Sequence, residues 1–241
     1  MTSDRLEAQY SLIGEQPLWA SPERFRKGFI KKVYGILSLQ LVATTLIAAP
    51  FVLSDDHIKI DQFKWLFWMS MITSLTIMLL FACIPRLMRQ VPLNYTLLAV
   101  FTIAEGLTVG CISSLYSTAS VVMAFGMVTA VSFALSLFAA RTSTDFTKSL
   151  FPYLLAVSVV MIGAGFFLIF FPSQIAVTVY AAMGAALFSV YLVFDTQMIL
   201  GGKKEMHFTI DDYVPAAISL YVDIVSLFIY FLQLFGQRRD D

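Results

Sequence analysis

Seven apolar runs, each close to the roughly 20 residues that an α-helix needs to cross a bilayer, leave this chain little choice of fold. They cover approximately residues 33–53, 63–84, 95–116, 120–140, 150–171, 175–200 and 214–234, with short polar or proline-containing links between them. Pro50, Pro85, Pro92 and Pro172 stand at or beyond the ends of these runs, where a missing N–H is tolerated. Hydrophobic residues make up 59% of the chain and charged ones 13%, against a usual balance of about half and a quarter, so most side chains must face lipid or one another. The expectation is an all-α, polytopic membrane protein: a polar tail over 1–32, a seven-helix transmembrane domain over 33–236 and a short tail over 237–241. The tail ahead of the first run lacks the charged, apolar and cleavage segments of a signal peptide.

Basic residues flanking the runs set the orientation, because short loops rich in Lys and Arg stay on the cytosolic side. With a cytosolic N-terminus that side collects 12 of the 16: Arg5, Arg24, Arg26, Lys27, Lys31 and Lys32 from the tail, then Arg86 and Arg89, Arg141 and Lys148, Lys203 and Lys204 from three links. The other face holds Lys59, Lys64, Arg238 and Arg239. The 16 acidic residues balance the 16 basic ones, so no net field recruits nucleic acid, and whatever electrostatics the chain uses must be local.

Local charge appears where it is most costly. Asp195 interrupts "SVYLVFDTQMIL", Asp223 interrupts "AAISLYVDIVSLFIYFL", and Glu105 interrupts "VFTIAEGLTVGCISSLY". A charge near a bilayer centre costs from about 3 to over 10 kcal/mol, so such residues face a bundle interior or a hydrated path and take partners. Ser219, Asp223, Ser226 and Tyr230 are spaced 4, 3 and 4 apart, which puts hydroxyls and carboxylate on one helical stripe. Antiparallel neighbours would bring Asp195 and Asp223 to similar depth. Thr102 and Thr108 flank Glu105, and Gly106 with Gly110 makes a GxxxG step that permits close helix approach. Arg86 and Arg89 are the bases nearest the second run's end, too few to neutralise three acids, so at least one carboxyl is protonated or hydrated part of the time. Each acid also has a structural reading: a helix-end acceptor for Asp195, an interhelical hydrogen bond for Asp223, a protonated side chain bonded to a carbonyl for Glu105.

Other residues carry less. His207, in "GGKKEMHFTIDDY", reads as a solvated loop histidine before it reads as a ligand or pH sensor. Cys83 and Cys111 show no metal or disulfide spacing, and the 22 Phe and 11 Met read as lipid-facing and packing residues, so no cofactor is expected.

Taken together, "FIKKVYGILSLQL", "RQVPLNYTLLAVFTIAEGLTVG", "RTSTDFTKS", "YLVFDTQMI" and "DDYVPAAISLYVDIVSLFIYFLQL" resemble the Bax-inhibitor motif family, in its lifeguard branch and near its Golgi anti-apoptotic members, over residues 25–236. The resemblance implies a bundle whose last helix is central, a Ca²⁺-permeable leak in Golgi, endoplasmic reticulum or other internal membranes, and suppression of apoptosis through lowered store Ca²⁺. By motif, the family's proton-sharing aspartates fall on Asp195 of "FDTQ" and Asp223 of "YVDIV", and its closed-state arginine latch on Arg89 or Arg86. Glu105 matches the acid of the family's "FT..EG" stretch. Phe194 stands where lifeguards often carry Tyr, and the 201–213 link is longer than in compact Golgi members.

Those residues suggest a mechanism. Two carboxyls in contact titrate as a coupled unit, and losing the shared proton would open the helices and expose oxygens as weak, transient Ca²⁺ ligands at Asp195 and Asp223, with Glu105 a further step. The expected partners are Ca²⁺ as permeant ion, the bilayer, and apoptosis-regulating membrane proteins or Ca²⁺-release channels. Two other classes compete. A pore-less interaction scaffold regulating cell death or trafficking would use the aspartates for folding alone. An intramembrane aspartyl protease also pairs aspartates in consecutive spans, but the Gly-x-Gly-Asp turn is missing and "VPAAI" precedes the second Asp, so no enzyme is expected.

Overall fold

The computed structural model describes residues 23–53, 60–200, 208–209 and 211–239. The first 22 residues, His207 and most of the 201–213 link lie outside them. Seven helices follow in order: α1 Glu23–Leu53, α2 Ile60–Cys83, α3 Leu93–Ser113, α4 Thr118–Arg141, α5 Phe146–Phe170, α6 Gln174–Leu200 and α7 Tyr213–Phe235, with a 3₁₀ turn Pro85–Met88 between α2 and α3. All seven contain a stretch long and apolar enough to span a bilayer.

The helices overrun the apolar runs where local chemistry extends them. α1 begins ten residues before the run at 33 because Phe29, Val33, Leu37, Gln40, Thr44, Ala48 and Val52 continue one buried stripe at three- and four-residue spacing. α5 begins at Phe146 because Asp145 caps it, accepting from the Thr147 N–H at 3.0 Å and the Thr147 hydroxyl at 2.6 Å. That early start leaves Pro152 inside the helix.

Side-chain contacts fix the directions. Gln40 meets Thr102 and Phe51 meets Gly110 further along both helices, while Lys32 meets Tyr213 and Thr44 meets Tyr221, so α1, α3 and α7 run parallel. Ser70 meets Thr108 and Ser74 meets Glu105, while Ser158 meets Tyr191 and Gly165 meets Tyr180, so α2 opposes α3 and α5 opposes α6. One end of the bundle therefore gathers the start of α1, the 3₁₀ turn and the end of α4, and with them Arg24, Arg26, Lys27, Lys31, Lys32, Arg86, Arg89 and Arg141; it is called the basic end below.

α7 is the axis. It packs against α6, α1, α4 and α3, while α2 rests on α3 and α5 on α6. No residue from Tyr213 to Leu234 is exposed, as a central position requires. α5 is the opposite case: Val159, Ile162, Phe166 and Ile169 stand exposed, a surface that only lipid would solvate well. Close approaches need the glycines. A Cβ on Gly110 would stand 2.8 Å from the Phe51 ring and 3.2 Å from the Ala48 Cα, so the GxxxG step seats α3 on α1. Gly184 of α6 leaves no space for a Cβ beneath the Tyr230 ring of α7.

At the end opposite the basic one, the chain folds back after Gly236. Arg239 donates from Nε to the Tyr116 carbonyl at 3.0 Å and from its guanidinium to the Val52 carbonyl, while its backbone N–H donates to Leu115. These groups close the carbonyl end of α1 and hold the link between α3 and α4.

Candidate functional site

Asp195 stands five residues before the end of α6 (200 − 195) and Asp223 ten residues after the start of α7 (223 − 213). The antiparallel contact of the two helices brings both to one level, roughly 15 Å of helix rise below the start of α7. They are 8% and 3% exposed. Their carboxyls interact directly, and Ser219, one turn back on α7, adds its hydroxyl to Asp195. Asp223 Oδ2 is buried with no hydrogen-bond partner. Among the described residues no basic side chain acts on either carboxyl. The stripe of Ser219, Asp223 and Tyr230 thus faces α6, where Tyr230 lies over Gly184 and against Tyr180.

The residues after Asp195 brace the pair. Thr196 is set against Tyr34 of α1, which also meets Ser136 of α4. Gln197, 1% exposed, accepts from the Phe146 N–H and donates to the Thr144 carbonyl, each at 3.0 Å. It ties the end of α6 to the α4–α5 link, so "FDTQ" and "RTSTDF" are two halves of one contact. Sequence reading passed over Gln197, although a Gln inside an apolar run beside Asp195 was a visible signal.

Above the pair, at the basic end, Arg89 takes a partner other than the expected aspartates of the pair. Its Nε donates to Asp212 Oδ1 at 2.8 Å, with a second guanidinium nitrogen also 2.8 Å from that oxygen. Asp212 Oδ2 accepts from the Thr209 N–H at 3.0 Å and its hydroxyl at 2.6 Å. Asp212 precedes the first residue of α7, so Arg89 joins the α2–α3 link to the start of the central helix and reaches neither Asp195 nor Asp223. Arg86 is exposed and pairs with no described residue. Next to this pair, Lys32 Nζ lies 3.2 Å from the centre of the Tyr213 ring, and Tyr95 stacks on the same ring at 6.0 Å between centres.

Glu105 reaches the same depth but a different face. Tyr221 and Asp223 are two residues apart, about 200° around α7, so Tyr221 points away from α6. Glu105 lies beside the Ser74 hydroxyl of α2 and near enough to Tyr221 to act on it electrostatically. Tyr221, fully buried, hydrogen-bonds Thr44 at 2.7 Å, with the Phe101 ring edge-on at 5.9 Å. The fold therefore gathers Asp195 and Asp223 on one side of α7 and sets Glu105 on the other. Among the described residues no three acids, histidines or cysteines converge on a metal-binding geometry.

Known proteins share this chain's sequence over most of its length. It is 35% identical to "Protein lifeguard 3" of Mus musculus over 219 residues, 89% of this chain and 71% of the relative. The Homo sapiens protein of the same name is 34% identical over 220 residues, covering 90% and 70%, and a "BI1-like protein" of Arabidopsis thaliana is 33% identical over 249 residues, covering 93% and 88%. The model of the family described as "Inhibitor of apoptosis-promoting Bax1" matches residues 26–240, a stretch that includes all seven helices apart from the first turn of α1, and the chain belongs to that Bax1-I family.

Proposed function

We propose that this chain is a pH-sensitive, Ca²⁺-permeable leak in the Golgi or endoplasmic reticulum membrane, with its N-terminus in the cytosol, and that it restrains apoptosis by lowering store Ca²⁺. The family's description and the lifeguard name of its relatives support the anti-apoptotic side of this reading. The observation that carries the rest is the contact of two buried carboxyls with no base beside them among the described residues.

Two carboxylates in contact in a low-dielectric interior repel strongly, so in the closed state the pair shares one proton. That proton holds α6 to α7. When cytosolic pH rises and the proton leaves, the repulsion acts between the two helices at the level of the pair. The bared oxygens are hard ligands suited to Ca²⁺. A site of two side chains with no surrounding cage binds weakly, which lets an ion leave as readily as it arrives. Arg89 and Asp212 form the latch above this gate, fixing the start of α7 while the pair stays closed.

Purified full-length protein in Ca²⁺-loaded liposomes tests the reading. Efflux is expected to exceed that of empty liposomes and to increase as the pH on the basic-end side rises. A properly folded protein that passes no Ca²⁺ at any pH would favour the pore-less scaffold.

A further inference from the structure

The face of α1 turned away from the bundle has no part in the leak. At about 100° per residue, Arg24, Lys27, Lys31, Leu39, Val42 and Leu46 fall within about 60° of one line along the helix. That line runs opposite the buried stripe that starts at Phe29 and Val33. All six side chains are exposed. In a bilayer the three apolar ones are covered by acyl chains, so the three bases stand directly above lipid that lies on the same strip of helix. Between them, Gly28 and Gly35 leave open space, since a Cβ on either would meet nothing within 4 Å. Orientation in the membrane asks only that bases be numerous at this end. It does not ask them to share a stripe with lipid-facing residues.

These bases lack a matching counter-charge within the chain. Lys27 pairs with Glu23 at 2.8 Å, an exposed pair of one helical turn that holds little energy. Arg24 rests 5.2 Å from the centre of the neighbouring Phe25 ring, and Lys31 has no partner among the described residues. Asp145 and Asp212, at the same end, are bonded to Thr147 and to Arg89. Three bases and one acid leave the stripe a net charge of +2 (3 − 1). Arg24 and Lys31 are seven residues apart (31 − 24), roughly 10 Å of rise, slightly more than the headgroup layer of one leaflet, about 5–8 Å deep. A headgroup that meets all of them must therefore be tall and carry more than one negative charge. A phosphodiester supplies one, and a phosphomonoester beyond it adds about 1.5 to 2.

We infer that this stripe of α1 binds an anionic phospholipid whose headgroup bears a phosphomonoester, as a phosphorylated inositol does. Lys31 and Lys27 meet the phosphodiester level, Arg24 reaches the outer phosphate, and the acyl chains run down Leu39, Val42 and Leu46. The ligand is a lipid and not a free phosphate compound, because the charged and the apolar parts of the stripe are continuous. The site lies on the outside of the bundle, and its occupancy is independent of whether the chain conducts Ca²⁺.

The test is binding of a fluorescent phosphatidylinositol phosphate to the purified full chain in non-ionic detergent, followed by anisotropy. Unlabelled phosphatidylcholine, phosphatidylserine and the soluble inositol phosphate headgroup serve as competitors. Phosphatidylcholine should not displace the probe, and phosphatidylserine and the soluble headgroup should each need about tenfold more than the unlabelled phosphoinositide. Arg24→Gln combined with Lys31→Gln should weaken binding at least about tenfold with an unchanged thermal midpoint. Arg141→Glu, the same change of two charges at the end of α4, should leave affinity within about twofold. Equal loss in both variants, or no loss in the first, would overturn the site. A soluble headgroup that competes as well as the lipid would overturn the lipid assignment, and phosphatidylserine competing equally would overturn the choice of headgroup.

Discussion

At the scale of single residues, the polar groups divide into those that brace the bundle and those free to change. Gln197 is a brace: both of its polar atoms are bonded, across 51 and 53 residues of sequence. Gln197→Leu removes two hydrogen bonds of about 1 kcal/mol each, and the thermal midpoint should fall by roughly 4–8 °C, measured in detergent. Arg89 is changeable, because its side chain is 58% exposed beside an Asp212 that is 13% exposed. Ion pairs of that kind are worth up to about 1 kcal/mol, so Arg89→Ala should increase basal Ca²⁺ efflux by roughly two- to fivefold while leaving the midpoint nearly unmoved. Efflux equal to wild type would mean that the Arg89 and Asp212 contact holds no gate. Asp195 and Asp223 were legible in the sequence because a carboxylate in a spanning run is costly enough to need a reason. The Arg89 partner was not, since 123 residues separate the two and nothing local marks Asp212 above its neighbour Asp211.

At the scale of elements, what matters is how closely each helix seats on the next. Gly184 is where α6 and α7 touch, and a Cβ there would meet the Tyr230 ring, whereas Gly163 of α5 has nothing within 4 Å. Gly184→Val should therefore separate the helices that carry the pair and cost most of the folded yield, read as the monodisperse fraction on size exclusion. Gly163→Ala should leave that yield unchanged; equal behaviour of the two variants would contradict the packing described. Hydropathy alone placed the seven spans to within a few residues, because lipid solvation imposes length and composition together. It stopped short at α1 and α5, whose extra turns rest on buried periodicity at Phe29 and on the Asp145 cap, neither of which needs an apolar run. Rotation about the helix axis was legible only for α7, where hydroxyls and carboxylate share a stripe. For α3 the same reasoning placed Glu105 within a span but could not tell which face of α7 it meets.

At the scale of the whole molecule, α7 carries one polar face toward α6 and another toward α1 and α3, so a change at the pair acts on the helix that packs against α1, α3, α4 and α6. The twelve-to-four distribution of bases predicts that the basic end is cytosolic. Tags at both termini, probed by antibody after selective permeabilisation of the plasma membrane, should report the N-terminus as cytosolic and the C-terminus as lumenal; both tags on one face would contradict an odd number of spans in this orientation. The central claim is that Asp195 and Asp223 act as one proton-gated unit, and residues that act as a unit are non-additive. Its most direct measurement is liposomal Ca²⁺ efflux across pH for wild type, Asp195→Asn, Asp223→Asn and the double variant, each confirmed folded. Wild-type efflux should rise with pH, either Asn should flatten that rise by fixing a neutral group, and the double variant should be little worse than a single one. Single variants whose efflux and pH profile match wild type would contradict the account and leave the two aspartates as structural hydrogen-bonding groups.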